Sequence, residues 1–447
     1  MERDSSNENV QMNQGQSIDA SALVADPVSP LRAKPAYYMN EDWVAVLLGF
    51  LIILLSLSGL LIPQPTFSWS STDTLFSKVL NSSNLAKIAM QFVFIFVVAA
   101  IGFVITARPL ASFVRVFPAV FFLTVLALII AGNAFIKGLN LEAVIFSLSI
   151  GLLIGNLFKV PEWFRAALST EMFVKIGLVL LGTGIIFKDI LKAGGLGLVQ
   201  ALVVVLSVWY FAFWLCKKLK IDEELRMMIS SAVSICGVSA AIATAGAIQG
   251  DSKKLSYVIS LVLITAIPMM IGMPYLAQYL GLSQEVTGAW LGGSIDTTGA
   301  VVASGTLVGD TALKISTIVK FSQNVLLGIA AFAISIYWTY SHTKLSKTVE
   351  KPGLKLIWDR FPKFVIGFIA ASLLFSFILS SETISGISGN LKNIQYLWFV
   401  LAFTSIGLET NFADLLRSSN RKPLYAFLIA QLFNVLVTLG IAYLLFK

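Results

Sequence analysis

The chain has 447 residues, 57% of them hydrophobic and only 13% charged, with a net charge of +8 and a mean hydropathy of +0.84. Those values exclude a soluble globular domain and describe an all-α polytopic membrane protein embedded in a lipid bilayer. A single histidine, His342, and two cysteines, Cys216 and Cys236, leave no histidine triad, multi-histidine metal centre or disulfide framework, so neither a metal nor a cofactor is expected.

Residues 1–42 are rich in Asn, Gln, Ser and Asp, contain Pro27, Pro30 and Pro35, and read as a disordered cytoplasmic tail. From Trp43 onward the hydropathy predicts about thirteen apolar spans of roughly 20 residues each. They fall near 43–62, 87–107, 116–136, 142–158, 172–187, 196–216, 227–249, 255–280, 286–308, 314–340, 364–380, 394–413 and 424–446. With the N-terminus inside, the inner loops hold most of the basic residues, including Arg108, Arg115, Lys159, Arg165, Lys217 and Lys218. Fewer fall outside, chiefly Lys78, Lys137, Lys188, Lys192, Lys253, Lys254 and Lys392. Basic residues between apolar spans point to membrane orientation rather than nucleic-acid binding. The bias predicts a cytoplasmic-membrane protein of bacterial type with its N-terminus inside and its C-terminus outside.

The seventh span is unlike the rest. Ser230–Gly250 is mostly Ser, Gly, Ala and Thr, which is poor lipid-facing material, and Gly237 lies between Ser234, Cys236 and Ser239. It reads equally as a broken helix lining a solute site or as a small-residue packing seam. The ninth span, Gly292–Thr306, holds Asp296 with Thr297 and Thr298. A charge at that depth costs about 2.5–3.5 kcal/mol and needs a partner or a task. The tenth span offers Lys320 as an ion-pair partner, followed by Gln323 and Asn324. In the twelfth span a short apolar run is followed by Gly407, Glu409, Thr410 and Asn411, which predicts a second broken helix, with Glu409 either a proton carrier or a group at the inner mouth.

Spans seven and twelve are five apart and so run in opposite directions. That predicts inverted five-helix repeats over 142–280 and 285–447, with extra helices over 43–141. A second echo competes: Ser234-Ile235 with Ala240, Ala243 and Thr244 returns sixty positions later as Ser294-Ile295 with Ala300, Ala303 and Ser304. Counted as full crossings those two spans are parallel, which argues against an inverted pair.

The run Ser234-Ile-Cys-Gly-Val-Ser239 and its continuation, the run Gly293-Ser-Ile-Asp-Thr-Thr298, and Ile318-Val-Lys320 together resemble the YeiH family of sulfate exporters. The resemblance spans most of 43–447 and is strongest over 172–340. It implies the wider group of cation–proton antiporters and bile-acid sodium symporters, whose fold has inverted repeats, two crossed broken helices and a core moving against a panel. By analogy with elevator-type carriers it also implies a homodimer. This chain carries Asp296-Thr297 where some relatives have a His-Glu pair.

The expectation is a secondary transporter exporting a small inorganic or organic anion, sulfate or a related sulfonate or carboxylate. Ser234, Cys236, Gly237, Ser239, Thr297, Thr298, Lys320, Asn324, Thr410 and Asn411 would bind it, and Asp296 or Glu409 would couple a proton or sodium. The alternative is a cation–proton antiporter or a sodium-coupled organic anion symporter. No nucleotide-binding loop appears, so ATP-driven pumping is not expected, and without an intramembrane histidine or paired catalytic carboxylates on one helix face neither is an enzyme.

Overall fold

The computed structural model describes residues 39–138, 143–158, 160–341, 358, 361–410 and 421–447. These residues are almost wholly helical. The first five labelled helices are α1 (Glu41–Leu57), α2 (Ser82–Ile105), α3 (Leu110–Ala131), α4 (Ala143–Leu157) and α5 (Thr170–Leu181). Next come α6 (Phe187–Lys218), α7 (Glu223–Ser231), α8 (Val238–Ile248), α9 (Ser252–Tyr279), α10 (Gln284–Ser294) and α11 (Thr298–Val308). The last four are α12 (Asp310–Ser341), α13 (Phe364–Leu373), α14 (Ser381–Glu409) and α15 (Lys422–Phe446). Seven of the helical stretches among the described residues are long and apolar enough to cross a membrane.

Local sequence signals mark many of the starts. The side chains of Asn40, Asn81, Asp222, Ser283, Thr297 and Ser380 each accept a hydrogen bond from a backbone N–H in the first turn of the helix they precede. An N-cap of this kind satisfies one of the donors that a helix start leaves open. Each predicted span overlaps a helical stretch among the described residues.

Two of them do not cross. In the first, α7 runs through a π turn, Ala232–Cys236, to Gly237, and α8 returns. The two legs come to about 21 Å and 17 Å at 1.5 Å per residue, short of a hydrocarbon core of about 30 Å. Their outer ends lie together: Lys254 Nζ pairs with Asp222 Oδ2 at 2.7 Å and Glu224 Oε2 at 3.0 Å, and the Asp251 N–H donates to Glu224 Oε2 at 3.3 Å. Helices α10 and α11 form a second hairpin, closed where the Gln284 amide lies against Gly309. Helix α9 separates the hairpin bases by its full length, while Val262 at its middle touches the first tip. The hairpins thus enter from opposite sides and meet halfway.

This corrects three expectations. The sixty-residue echo, parallel if its spans were full crossings, belongs to the two hairpins, and these are oppositely directed because each returns to its own side. Lys254, expected in an outer loop, shares the side of the 217–226 loop. The twelfth span is not broken: α14 is continuous over 29 residues. Gly407 serves close packing there, since a Cβ on it would lie 2.5 Å from the Leu148 carbonyl oxygen of α4.

Packing sorts the helices into two groups. Helices α1–α5, α13 and α14 pack mainly with one another, as do α6–α12 and α15. The groups touch where α11 meets α4 and α14 and where α6 meets α13. On the side of the second hairpin's base, Lys392 of α14 pairs with Asp310 at 2.6 Å.

The hairpin topology has a direct check in membrane vesicles. Single cysteines introduced as Lys217→Cys and Lys254→Cys should react with an impermeant maleimide from the same face, and Lys392→Cys from the opposite face. Labelling of positions 217 and 254 from opposite faces would restore a crossing span.

Candidate functional site

The site begins at the two hairpin tips. Gly237 sits at φ +62°, ψ −113°, a conformation L side chains rarely adopt. A Cβ there would also lie 2.7 Å from Val262 Cγ1 and 2.9 Å from Asp296 Cβ. The tips are therefore in van der Waals contact through a position only glycine fits. The second tip turns through Ile295 and Thr297 in extended backbone, φ −80° and −103°, and needs no glycine.

Each tip brings a helix C-terminus, with its orphan carbonyls, to mid-depth. Side chains of α12 and α15 satisfy these carbonyls in matched pairs. The Lys320 ammonium donates to Ile235 O and Ile295 O, both at 2.9 Å, and to Gln323 Oε1 at 2.8 Å. The Gln323 amide donates to Ser234 O at 2.9 Å and Gly293 O at 3.3 Å. From α15, the Asn434 amide donates to Val233 O at 3.0 Å and Ser294 O at 3.3 Å, and Gln431 donates to Ser294 O at 2.8 Å. One lysine thus holds two negative helix ends, an arrangement that the dipoles favour.

Each tip also starts a helix, α8 after Gly237 and α11 after Thr297. Gly237 provides no side-chain cap for α8, and the Thr297 hydroxyl accepts from the Ala300 N–H at 3.3 Å at the start of α11. Ser239 is exposed, and Thr297, Thr298 and Gly299 are half-buried. Asn324, 6% exposed, donates to the Thr298 hydroxyl at 3.3 Å, and its Oδ1 has no partner. Asp296 is 2% exposed, and its Oδ2 likewise has no hydrogen-bond partner. Gly299 faces Ile406 of α14 and Val174 of α5, so the tips lie where the two helix groups meet.

Eight of the residues singled out in the sequence as binding groups, Ser234, Cys236, Gly237, Ser239, Thr297, Thr298, Lys320 and Asn324, come together here with Asp296. Their parts differ. The Ser234 hydroxyl is turned into its own helix, donating to Ser230 O at 2.7 Å, and Cys236 is a buried free thiol. Lys320 has three donors, all engaged, so it offers a ligand no free N–H. The expected Asp296–Lys320 ion pair is not among the ion pairs of the described residues, because the ammonium is drawn to the two carbonyls. Thr410 and Glu409 lie apart at the end of α14: the Thr410 hydroxyl donates to Ile406 O at 2.8 Å, and its carbonyl accepts from Asn156 at 2.9 Å. Asn411 lies outside the described residues. Among the described residues no cluster of three or more His, Cys, Asp or Glu could hold a metal.

Sequence reasoning does not single out Gln431, Asn434 or Gln200. Gln431, Asn434 and Thr438 stand at i, i+3 and i+7 of an otherwise apolar span, one helix face, and that spacing is the signal that could find them. Gln200 donates to Ala289 O at 2.8 Å, steadying α10 from α6.

Residues 116–426 match the family model described as Conserved hypothetical protein 698. A UPF0324 membrane protein of Rhodopirellula baltica is 40% identical over 366 residues, 79% of this chain and 67% of that relative. One from Nitratidesulfovibrio vulgaris is 38% identical over 362 residues, 78% and 62%. One from Nitrosomonas europaea is 31% identical over 319 residues, 63% and 64%. The chain thus spans about two thirds of the length of these relatives. No solved structure matches it significantly.

Removing the Lys320 ammonium should strand two buried helix ends. Lys320→Met should cost about 3–5 kcal/mol, the range for breaking a buried charged network. Gln323→Leu should cost about 1–3 kcal/mol for carbonyls left unpaired. Melting in detergent checks both, with exposed Lys392→Met as the near-neutral control.

Proposed function

Because this chain belongs to the family of UPF0324 membrane proteins, we propose that it is a secondary transporter that exports a small anion, sulfate or a related sulfonate or carboxylate, across the cytoplasmic membrane. The observation carrying this reading is the meeting of two uncrossed hairpins at mid-depth, with two helix N-termini facing the accessible Ser239, Thr297 and Thr298. Helix N-termini attract anions through open N–H groups and the positive end of the dipole. Interrupted helices at bilayer depth are tolerated only where they are buried or line a cavity.

The grouping of helices supports alternating access. The hairpin group would move against the group of α1–α5, α13 and α14, with the seam at Gly299, Val174 and Ile406 as the sliding surface. The resemblance to the YeiH sulfate exporters supports the same class. Orientation follows from the loops: with Lys254 on the side of Lys217 and Lys218, the basic bias strengthens for an inside N-terminus and an outside C-terminus. On this reading the chain is a carrier and makes or breaks no covalent bond.

A second reading, cation–proton antiport or sodium-coupled symport, is favoured by one observation, the buried Asp296 oxygen without a donor.

Thermal stabilisation of the purified protein separates the two. Sulfate, sulfite, methanesulfonate, isethionate and pyruvate are compared with chloride at equal ionic strength, since a ligand of the folded state raises the melting temperature by mass action. At least one should stabilise the wild type, and Ser239→Asp, which places a carboxylate at the N-terminus of α8, should weaken its binding about tenfold or more, roughly 1.4 kcal/mol. Stabilisation by sodium alone would replace the anion reading with the second.

A further inference from the structure

The hairpin tips permit a count of charge. Each helix terminus carries roughly half an elementary charge, positive at the N-terminus and negative at the C-terminus. The two C-termini ending at Cys236 and Ser294 therefore sum to about −1, and Lys320, bonded to both, cancels them. The N-termini of α8 and α11 sum to about +1. Asp296, whose Cβ lies 2.9 Å from where a Gly237 Cβ would be, stands between them. When its carboxylate is ionised the tips come to about zero and offer an anion no net attraction. With one proton on the carboxylate they come to about +1.

We propose that the site takes a monoanion together with one proton carried by Asp296, so that a small sulfonate or monocarboxylate, rather than a dianion, is the substrate. The inference rests on the anion reading and narrows it. Three further observations fit. Asp296 Oδ2 is enclosed with no donor, which leaves it free to hold a proton and too buried to serve as a direct ligand contact in this state. Asn324, also enclosed, presents an unpartnered Oδ1 beside Thr298, so the polar fit at the tips is incomplete without a ligand. Gly299 lies 3.7 Å or closer to Val174 and Ile406 for any added Cβ, which places apolar surface beside the anion site where the organic part of a monoanion would rest. A sulfate dianion has no such part and would need a second positive charge, while the only buried cation at the tips among the described residues is already neutralised.

Other titratable and charged groups stand around Asp296, and the Asp296→Asn variant separates their protons from its own. Lys320 faces it from α12, Cys236 from the first hairpin, and the Gln431 amide from α15. Val262 of α9 is apolar. On α5, Glu171 and Lys175 pair with each other at 2.9 Å, and Glu409 lies at the far end of α14.

The test measures binding and protons together on the full chain in detergent. Methanesulfonate, isethionate and pyruvate are titrated against sulfate and thiosulfate between pH 5 and 9, in weak buffer with a pH indicator. Wild-type affinity for at least one monoanion should fall about tenfold per pH unit on the alkaline side, with about one proton taken up per anion bound. In Asp296→Asn, which keeps the shape without the charge, that affinity should hold its acid-side value across the range, with no proton uptake. Proton uptake by the wild type distinguishes the outcomes even if the variant folds poorly. Binding without pH dependence, sulfate binding more tightly than every monoanion, or sodium restoring affinity at high pH would each overturn the proposal while leaving the anion site standing. If no anion binds at any pH, the anion reading falls and this inference falls with it.

Discussion

The interaction on which the rest depends is the bonding of one lysine ammonium to two helix ends. A hairpin that turns back inside a bilayer exposes carbonyls that neither water nor lipid can satisfy, at a cost of several kcal/mol per unsatisfied group. Lys320 meets two of them, Ile235 O and Ile295 O, and Gln323, Gln431 and Asn434 meet the neighbours. The ammonium, in turn, tolerates 1% exposure only because two negative helix ends surround it. Hairpins and lysine are mutually required.

Consequences follow outward from that point. The N-termini of α8 and α11 start from these same tips, with Asp296 packed against Gly237. The same bonds tie α12 and α15 to both hairpins. The second group meets the hairpin group where α11 meets α4 and α14, where α6 meets α13, and where Phe321 of α12 packs edge-on against Phe364 and Phe368 of α13.

Glycine plays two separate parts here, and composition does not tell them apart. Gly237 is required by its backbone angle and by the approach of Asp296. Gly407 lies in a regular helix and is required by the approach of α4. Both follow a short apolar run in the sequence, so both read as breaks, and only one is. The difference rests on what stands opposite each glycine, a hairpin tip in one case and a straight helix in the other.

The sequence by itself determined that the protein is helical and membrane-embedded, where its apolar segments fall, and that the stretches around Gly237 and Asp296 differ from lipid-facing spans. Hydropathy, cap residues and the cost of a buried charge are local properties, and they are legible in one dimension. It also carried the echo of the Ser-Ile pair at 234 and 294, which falls in the two hairpins and could not be read as such because a hairpin and a crossing helix share the same length of apolar sequence. Only the tertiary structure decided that these two segments turn back, that α14 does not break, that Lys320 serves carbonyls rather than Asp296, and that amides from α15 complete the tips. The bonds behind those outcomes join groups 25 to 201 residues apart in the chain. Pairing over such separations is settled by competition among partners in space, and residue spacing does not record it.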